Sequence, residues 1–134
     1  MSKSSPDVQS RILLTDEFAQ IQSKIRSAVT DSQLGITFDP LNRPGVSNIV
    51  TILATCTNES PEEVAKLYAS KGHAQLKADT AEAVEALLRQ PREDFKRLKA
   101  SINYLEEVAE GGAIRAREIS EVTMALVRSQ IGLA

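Results

Sequence analysis

Tryptophan is absent from the 134 residues, cysteine and histidine occur once each, and all aromatics together make up 4%. Each shortage excludes something. A lone Cys56 cannot form an internal disulfide and suits a reducing compartment. A lone His73 leaves no plausible zinc set. Charge of one sign is also lacking: the formal net charge is −2. That argues against a strongly basic nucleic-acid module, although a local basic strip remains open. No apolar run approaches the length of a membrane span, and no signal-peptide pattern is present. With so few aromatics the core must be aliphatic, and 42% apolar residues suffice to build one ordinary domain.

What is present is mostly helical periodicity. Residues 1–15 read as an extended loop, in which Pro6 disfavours helix at Ser5. Ile12-Leu13-Leu14 is long enough only for a brief strand or a buried turn. A helix begins near Thr15 or Asp16, either of which can cap it, and Phe18, Ile21, Ile25, Ala28 and Val29 recur at three- and four-residue steps. Gln22, Lys24 and Arg26 lie off that stripe, and the helix stops at Asp31-Ser32. A loop follows, punctuated by Asp39-Pro40, Asn42, Pro44 and Gly45. From Val46 to about Thr57 almost no polar face is left, as in a buried central helix. Ile49–Leu53 also suits a strand, but the run continues through Ala54 and favours helix.

Ser60-Pro61-Glu62-Glu63 is the sharpest local signal. Serine caps, proline takes the first helical position and Glu63 completes a capping box. That helix turns Val64, Ala65, Leu67 and Tyr68 inward and ends before Gly72. A long helix over about 75–99 follows, with Leu76, Ala83, Val84, Leu87, Leu88, Phe95 and Leu98 on one face and Pro91 kinking or interrupting it. Ser101 caps a short helix that Gly111-Gly112 either ends or bends. The last helix covers about 113–131, with Ile119, Val122, Leu126, Val127 and Ile131 as its stripe. The expected fold is all-α: an extended N-terminal loop over 1–15 and a helical bundle over 16–134.

Three features could carry chemistry. Lys3 sits between serines in a short polar segment. A compact ammonium flanked by hydroxyls and backbone N–H groups suits a triphosphate, and a loop can bring it onto the departing pyrophosphate as charge develops there. Pro44-Gly45-Val46-Ser47-Asn48 opens the central helix, with Gly45 allowing tight backbone geometry and Ser47 or Asn48 as cap. It either only turns the chain or faces the nucleotide loop or an RNA. The basic residues Lys77, Arg89, Arg92, Lys96, Arg97, Lys99, Arg115, Arg117 and Arg128 are interleaved with acids, as on a solvated face with i,i+4 pairs. His73 reads as a surface or capping residue and Cys56 as a small core residue. No nucleophile–base pair and no metal spacing emerges.

Met1-Ser2-Lys3-Ser4-Ser5-Pro6, Ile12-Leu13-Leu14-Thr15-Asp16, Ala28-Val29-Thr30-Asp31-Ser32, Phe38-Asp39-Pro40 and Pro44-Gly45-Val46-Ser47-Asn48 occur in that order at close spacing. The series resembles the C-terminal half of tryptophanyl-tRNA synthetases, beginning inside their Lys-Met-Ser-Lys-Ser loop, and the likeness runs to the C-terminus. Two departures stand out: Ser5-Pro6-Asp7 replaces an acidic residue often found after the motif, and Asn58-Glu59 replaces a more usual Gly turn. The resemblance implies that Lys3 matches the motif's second lysine and assists formation of tryptophanyl-adenylate. It further implies that Met1, Ser2, Lys3 and Ser4 contact ATP, that magnesium accompanies the nucleotide, and that the helices contact tRNA(Trp) through residues that spacing does not assign. The family's α/β core, with its tryptophan pocket and His-Ile-Gly-His-type motif, is not in this sequence. The chain alone is therefore expected to be inactive, whereas the full-length family is a homodimer. A freestanding, non-catalytic RNA- or protein-binding module is the alternative, as is a fragment with no separate role. The run Asn42–Val50 looks bacterial in type, which points to bacterial cytoplasm or the mitochondrial matrix.

Overall fold

A computed structural model describes residues 7–133. Among them are five α-helices and no strand: α1 (Phe18–Ser27), α2 (Pro44–Thr57), α3 (Pro61–Tyr68), α4 (His73–Ala100) and α5 (Ile102–Ile131), preceded by one 3-10 turn at Val8–Ser10. The all-α expectation holds, and the helical reading of 49–53 prevails over the strand. The chain divides between Glu93 and Asp94 into two compact units.

In the first unit, Ile21 and Ile25 of α1, Ile36 of the following loop, Val46, Ile49, Val50 and Leu53 of α2, Val64 of α3 and Leu76 and Val84 of α4 form one aliphatic core. The central helix is α2, as its nearly all-round apolarity requires. Its boundaries shift, however. Arg43 is the N-cap and Pro44 the first helical residue, so Ser47 and Asn48 lie inside the helix and cap nothing. The start of α1 moves too. Glu17 and Gln20 form the capping box, with the Gln20 amide oxygen accepting from the Glu17 N–H at 2.8 Å. Thr15 and Asp16 are not caps; Asp16 closes a turn onto the Leu13 N–H at 2.9 Å. Ile12 packs half-buried against the core while Leu13 and Leu14 face solvent. Because α1 ends at Ser27, Val29 leaves the helical stripe and stands 87% exposed.

The predicted capping box of α3 is present: Ser60 Oγ accepts from the Glu63 N–H at 3.2 Å, and the Glu63 carboxylate accepts from the Ser60 N–H at 3.0 Å. Leu67, expected inside, is exposed, as are Leu87 and Phe95 of α4. Asn58 closes α2 with φ +59°, taking the left-handed conformation that glycine supplies in most such turns. Helix α4 runs through Pro91 without a break in its assignment.

In the second unit, α5 runs straight through Gly111-Gly112 instead of stopping there. Two glycines cost about 2 kcal/mol of propensity, too little to break a long helix with good formers on both sides. Ser101 stands at its N-cap without a side-chain capping bond; its hydroxyl donates backward to the Arg97 carbonyl at 3.1 Å. No described residue of α5 is buried.

Candidate functional site

The first described residues and the second and third turns of α2 meet at one place. A cleft of about 330 Å³ is lined by Asp7, Gln9 and Ser10, by Ile12, by Ile25, Ser27 and Val29 at the end of α1, and by Asn48, Ile49 and Ile52 of α2. Asp7 shapes its rim, accepting from the Gln9 N–H at 2.9 Å and through its carbonyl from the Ser10 hydroxyl at 2.7 Å. Residues 7–12 continue the segment that carries Lys3, so the structure brings the continuation of that segment and Asn48 to one cleft. Met1, Ser2, Lys3 and Ser4 themselves lie outside the described residues.

Backbone proximity explains Gly45. A Cβ there would lie 2.3 Å from the Val29 carbonyl oxygen, so the chain leaving α1 crosses directly over the first turn of α2. Ser47 is buried, and its hydroxyl accepts from the Asp39 N–H at 2.9 Å, fixing the loop that leads into the helix. Gly35 has φ +75°, and a Cβ on it would lie 2.9 Å from the Ala69 carbonyl oxygen.

The residue that organises this loop is Arg43, 4% exposed. Its guanidinium donates to both Asp31 oxygens at 2.9 and 2.8 Å, to the Gly35 carbonyl at 3.1 Å, to Thr37 Oγ1 at 2.8 Å and to the Gln33 carbonyl at 3.2 Å. The planar fork matches a carboxylate in a way lysine could not. Its hydrogen bond holds the Asp31 carboxyl at about 2, well below the usual carboxylate range. His73 Nε2 lies 3.3 Å from the same guanidinium, at the start of α4. His73 therefore belongs to a half-buried cluster rather than to a surface turn.

Two further charges expected on the surface are inside. Lys24 is 7% exposed and pairs with Asp16. Burial pushes the Asp16 carboxyl up, but the hydrogen bonds from Lys24 and Leu13 and the lysine charge outweigh it and leave it lowered. Arg92 of α4 is buried against Glu85, the Asp16 carbonyl and Glu17. The hydrogen bond from Arg92 keeps the Glu85 carboxyl below its ordinary value, with Arg89 adding to it. Lys77 donates to the Ala28 carbonyl at 2.7 Å. Of the basic residues read as a solvated face, Arg92 and Lys77 are thus engaged internally. Arg89 and Arg97 make the expected helical pairs with Glu85 at 3.6 Å and Asp94 at 3.0 Å, and Arg128 pairs with Glu121 at 2.6 Å. Cys56 is half-buried, and burial pushes its thiol up, as suits a packing residue rather than a nucleophile.

Residues 1–89 match the family described as tRNA synthetases class I (W and Y). The chain belongs to this family. Over 99% of its length it is 43% identical to tryptophan–tRNA ligase 1 of Streptomyces avermitilis, covering 40% of that protein. Over its whole length it is 35% identical to the tryptophan–tRNA ligase of Bacillus anthracis, again covering 40%. The crystal structure of tryptophanyl-tRNA synthetase from Mycoplasma pneumoniae superposes with a TM-score of 0.64 at 29% identity, over 100% of this chain and 41% of that one. The chain thus spans about 40% of the length of the curated relatives it matches.

For this synthetase-family chain, the sequence marked Gly45 as a special backbone position, but it read Asp16 as a cap, Lys24 as off-stripe, Asp31 as a helix stop and Arg43 as loop, and did not pair them. Their partners lie 8 and 12 residues away, outside any helical spacing, so no periodicity marks them. No helix among the described residues is long and apolar enough to cross a membrane.

Proposed function

We propose that this chain is the C-terminal portion of a tryptophan–tRNA ligase, supplying a nucleotide loop and a tRNA-binding helical part to ATP-dependent charging of tRNA(Trp). The observation that carries this is the match along 99–100% of the chain to tryptophan–tRNA ligases at 35–43% identity. In the reaction a tryptophan carboxylate oxygen attacks the α-phosphorus of ATP, and the bond to pyrophosphate breaks. Lys3, with Met1, Ser2 and Ser4 around it, would meet the negative charge growing on that leaving group. A preorganised cation there stabilises the transition state more than bound ATP. The cleft between residues 7–12 and Asn48 lies where that loop joins the helices, which supports the reading.

Among the described residues no three acidic, histidine or cysteine side chains converge as a metal set. Magnesium is proposed to arrive with the nucleotide, whose phosphates supply most of its ligands. Helices alone do not position tryptophan and ATP together, so the isolated chain is proposed to be inactive. The bacterial relatives and the run Asn42–Val50 favour a bacterial cytosol, or a mitochondrial matrix inheriting the same type.

Two measurements test this. Tryptophan-dependent pyrophosphate exchange is expected to be absent from the isolated chain; turnover by it would overturn the division of labour. In a gel shift, tRNA(Trp) is expected to be retarded more than a non-cognate tRNA, and equal retardation would remove the assigned tRNA role. Removing one charge-stabilising group costs about 10²–10³ in rate in comparable sites. Lys3→Ala in a full-length ligase carrying this C-terminal portion is expected to fall by that order.

A further inference from the structure

In the first unit a second cleft, of about 320 Å³, opens between α1 and the start of α4. Gln22 and Arg26, one turn apart on α1, line one wall, and Ala74, Lys77 and Ala78 of α4 line the other. The two alanines keep the α4 wall low. None of the five lining residues is acidic, although the chain as a whole carries a formal net charge of −2. Gln22 and Arg26 leave α1 on a different side from Lys24 and Ala28, which line the cleft at residues 7–12. The two clefts are therefore separate sites.

The cations here differ from the others in this unit. Lys24, Arg43 and Arg92 each meet a carboxylate. Among the described residues the Arg26 guanidinium meets none, and neither it nor the Gln22 amide has a hydrogen-bond partner. Lys77 donates to the Arg26 carbonyl at 3.3 Å and to the Ala28 carbonyl at 2.7 Å. Both acceptors are neutral, so the ammonium is held in place without its charge being cancelled, and one of its N–H groups is left over. The helix ends that meet here carry partial charges of about half a unit, negative at the end of α1 and positive at the start of α4. These largely offset each other and leave the full charges of Arg26 and Lys77 standing.

Two cations without a carboxylate, beside a free amide, suit an oxyanion. Arginine offers a planar fork and lysine a point charge, and the first turn of α4 adds N–H groups that the helix itself leaves unused. Phosphate fits this set better than carboxylate, because its oxygens spread tetrahedrally and can meet donors on two helices at once. Glu82, one turn beyond Ala78, lines the neighbouring cleft and ends the positive stretch, which limits the site to one phosphate group. The volume would hold about ten waters, more than a bare phosphate fills, so the ligand brings an esterified group with it.

We infer that the cleft between α1 and α4 is a phosphoester-binding site, in which Arg26 and Lys77 hold the phosphate and Gln22 donates to it. The inference does not rest on the ligase reading, since it needs only the cleft and its uncancelled charges. An RNA backbone and a free sugar phosphate present the same oxyanion, and the two sources are told apart by experiment.

Amide NMR of the whole chain tests it. Ribose 5-phosphate is expected to shift the Ala74 and Ala78 amides with a Kd of about 1 mM, while ribose in sodium chloride of equal ionic strength moves neither. Arg26→Ala is expected to weaken binding about tenfold, the effect of losing one hydrogen bond to a charged group, and Arg26→Lys to recover part of it. Arg26 is exposed, so circular dichroism is expected to show unchanged helices in both variants. Hexauridylate forms the second arm: competition with ribose 5-phosphate at the same amides assigns the phosphate to an RNA backbone, and no competition assigns it to a free phosphoester, the site standing in either case. Equal shifts from ribose and chloride, or an Arg26→Ala variant that binds ribose 5-phosphate as tightly as the parent, overturn the inference.

Discussion

Replacing Gly45 by alanine sets two effects of known size against each other. Gly45 lies in the first turn of α2, where alanine is favoured over glycine by about 0.8–1.0 kcal/mol. Propensity alone therefore predicts a more stable protein. The structure reverses the sign. The new methyl carbon would lie 2.3 Å from the Val29 carbonyl oxygen and 3.2 Å from its carbonyl carbon. Both are backbone atoms, so no side chain can swing away; α2 and the segment leaving α1 must separate by about 1 Å. Overpacking of this kind costs about 1–3 kcal/mol. The net loss is roughly 0–2 kcal/mol, which for a unit of this size lowers the melting temperature by up to roughly 8–16 °C. Gly111→Ala is the control, because a Cβ there meets nothing within 4 Å and only the propensity gain remains. Thermal unfolding followed by circular dichroism should move the two variants in opposite directions. If Gly45→Ala melts at or above the parent temperature, the crossing of Val29 over α2 is not as described.

Arg43→Ala should lower the urea midpoint markedly, because it strips Asp31, Thr37 and two carbonyls of their shared donor; Arg43→Lys should recover only part, since lysine lacks the fork. Asp31 is held at about 2 in the folded chain, so its stabilisation is complete above the ordinary carboxylate value near 4 and is lost as pH falls toward 2. The acid limb of the stability profile should accordingly flatten in Arg43→Ala, which a urea series between pH 2 and 6 will read. Ser60→Ala should lose about 1 kcal/mol with the α3 cap, checked by the same titration at pH 7. Arg92→Ala should raise the Glu85 carboxyl toward its ordinary value, since Arg92 is the main cause of its depression; a carboxyl-detected NMR titration would show no movement if the pairing is absent.

Helix content and the α3 cap were legible because both follow from short-range rules. Ser60, Pro61 and Glu63 lie within one turn and report on each other directly. The aliphatic stripe of α2 was legible because burial on nearly all sides leaves a composition no exposed helix has. Long-range pairing was not. Lys24 read as solvent-facing because it lies off the apolar stripe, yet its stem covers the core and Asp16 neutralises its head. Arg43 looked like one more loop residue, although four loop residues converge on it through five hydrogen bonds. The glycine pair in α5 misled for the opposite reason: a local breaker signal was overridden by helix on both sides. At the candidate site, the turn chemistry of residues 44–48 pointed to a special backbone, but only the Val29 crossing shows what makes glycine necessary there.

The bond from Lys77 to the Ala28 carbonyl joins positions 49 residues apart. Bringing two such points together in a free chain requires an entropy loss of roughly 3 kcal/mol by loop-closure scaling, so the tether gains nothing until α2 and α3 have gathered the intervening stretch. Refolding should therefore set this latch late. A substitution at Lys77 should quicken the unwinding arm of a chevron while leaving the approach to the native state nearly untouched.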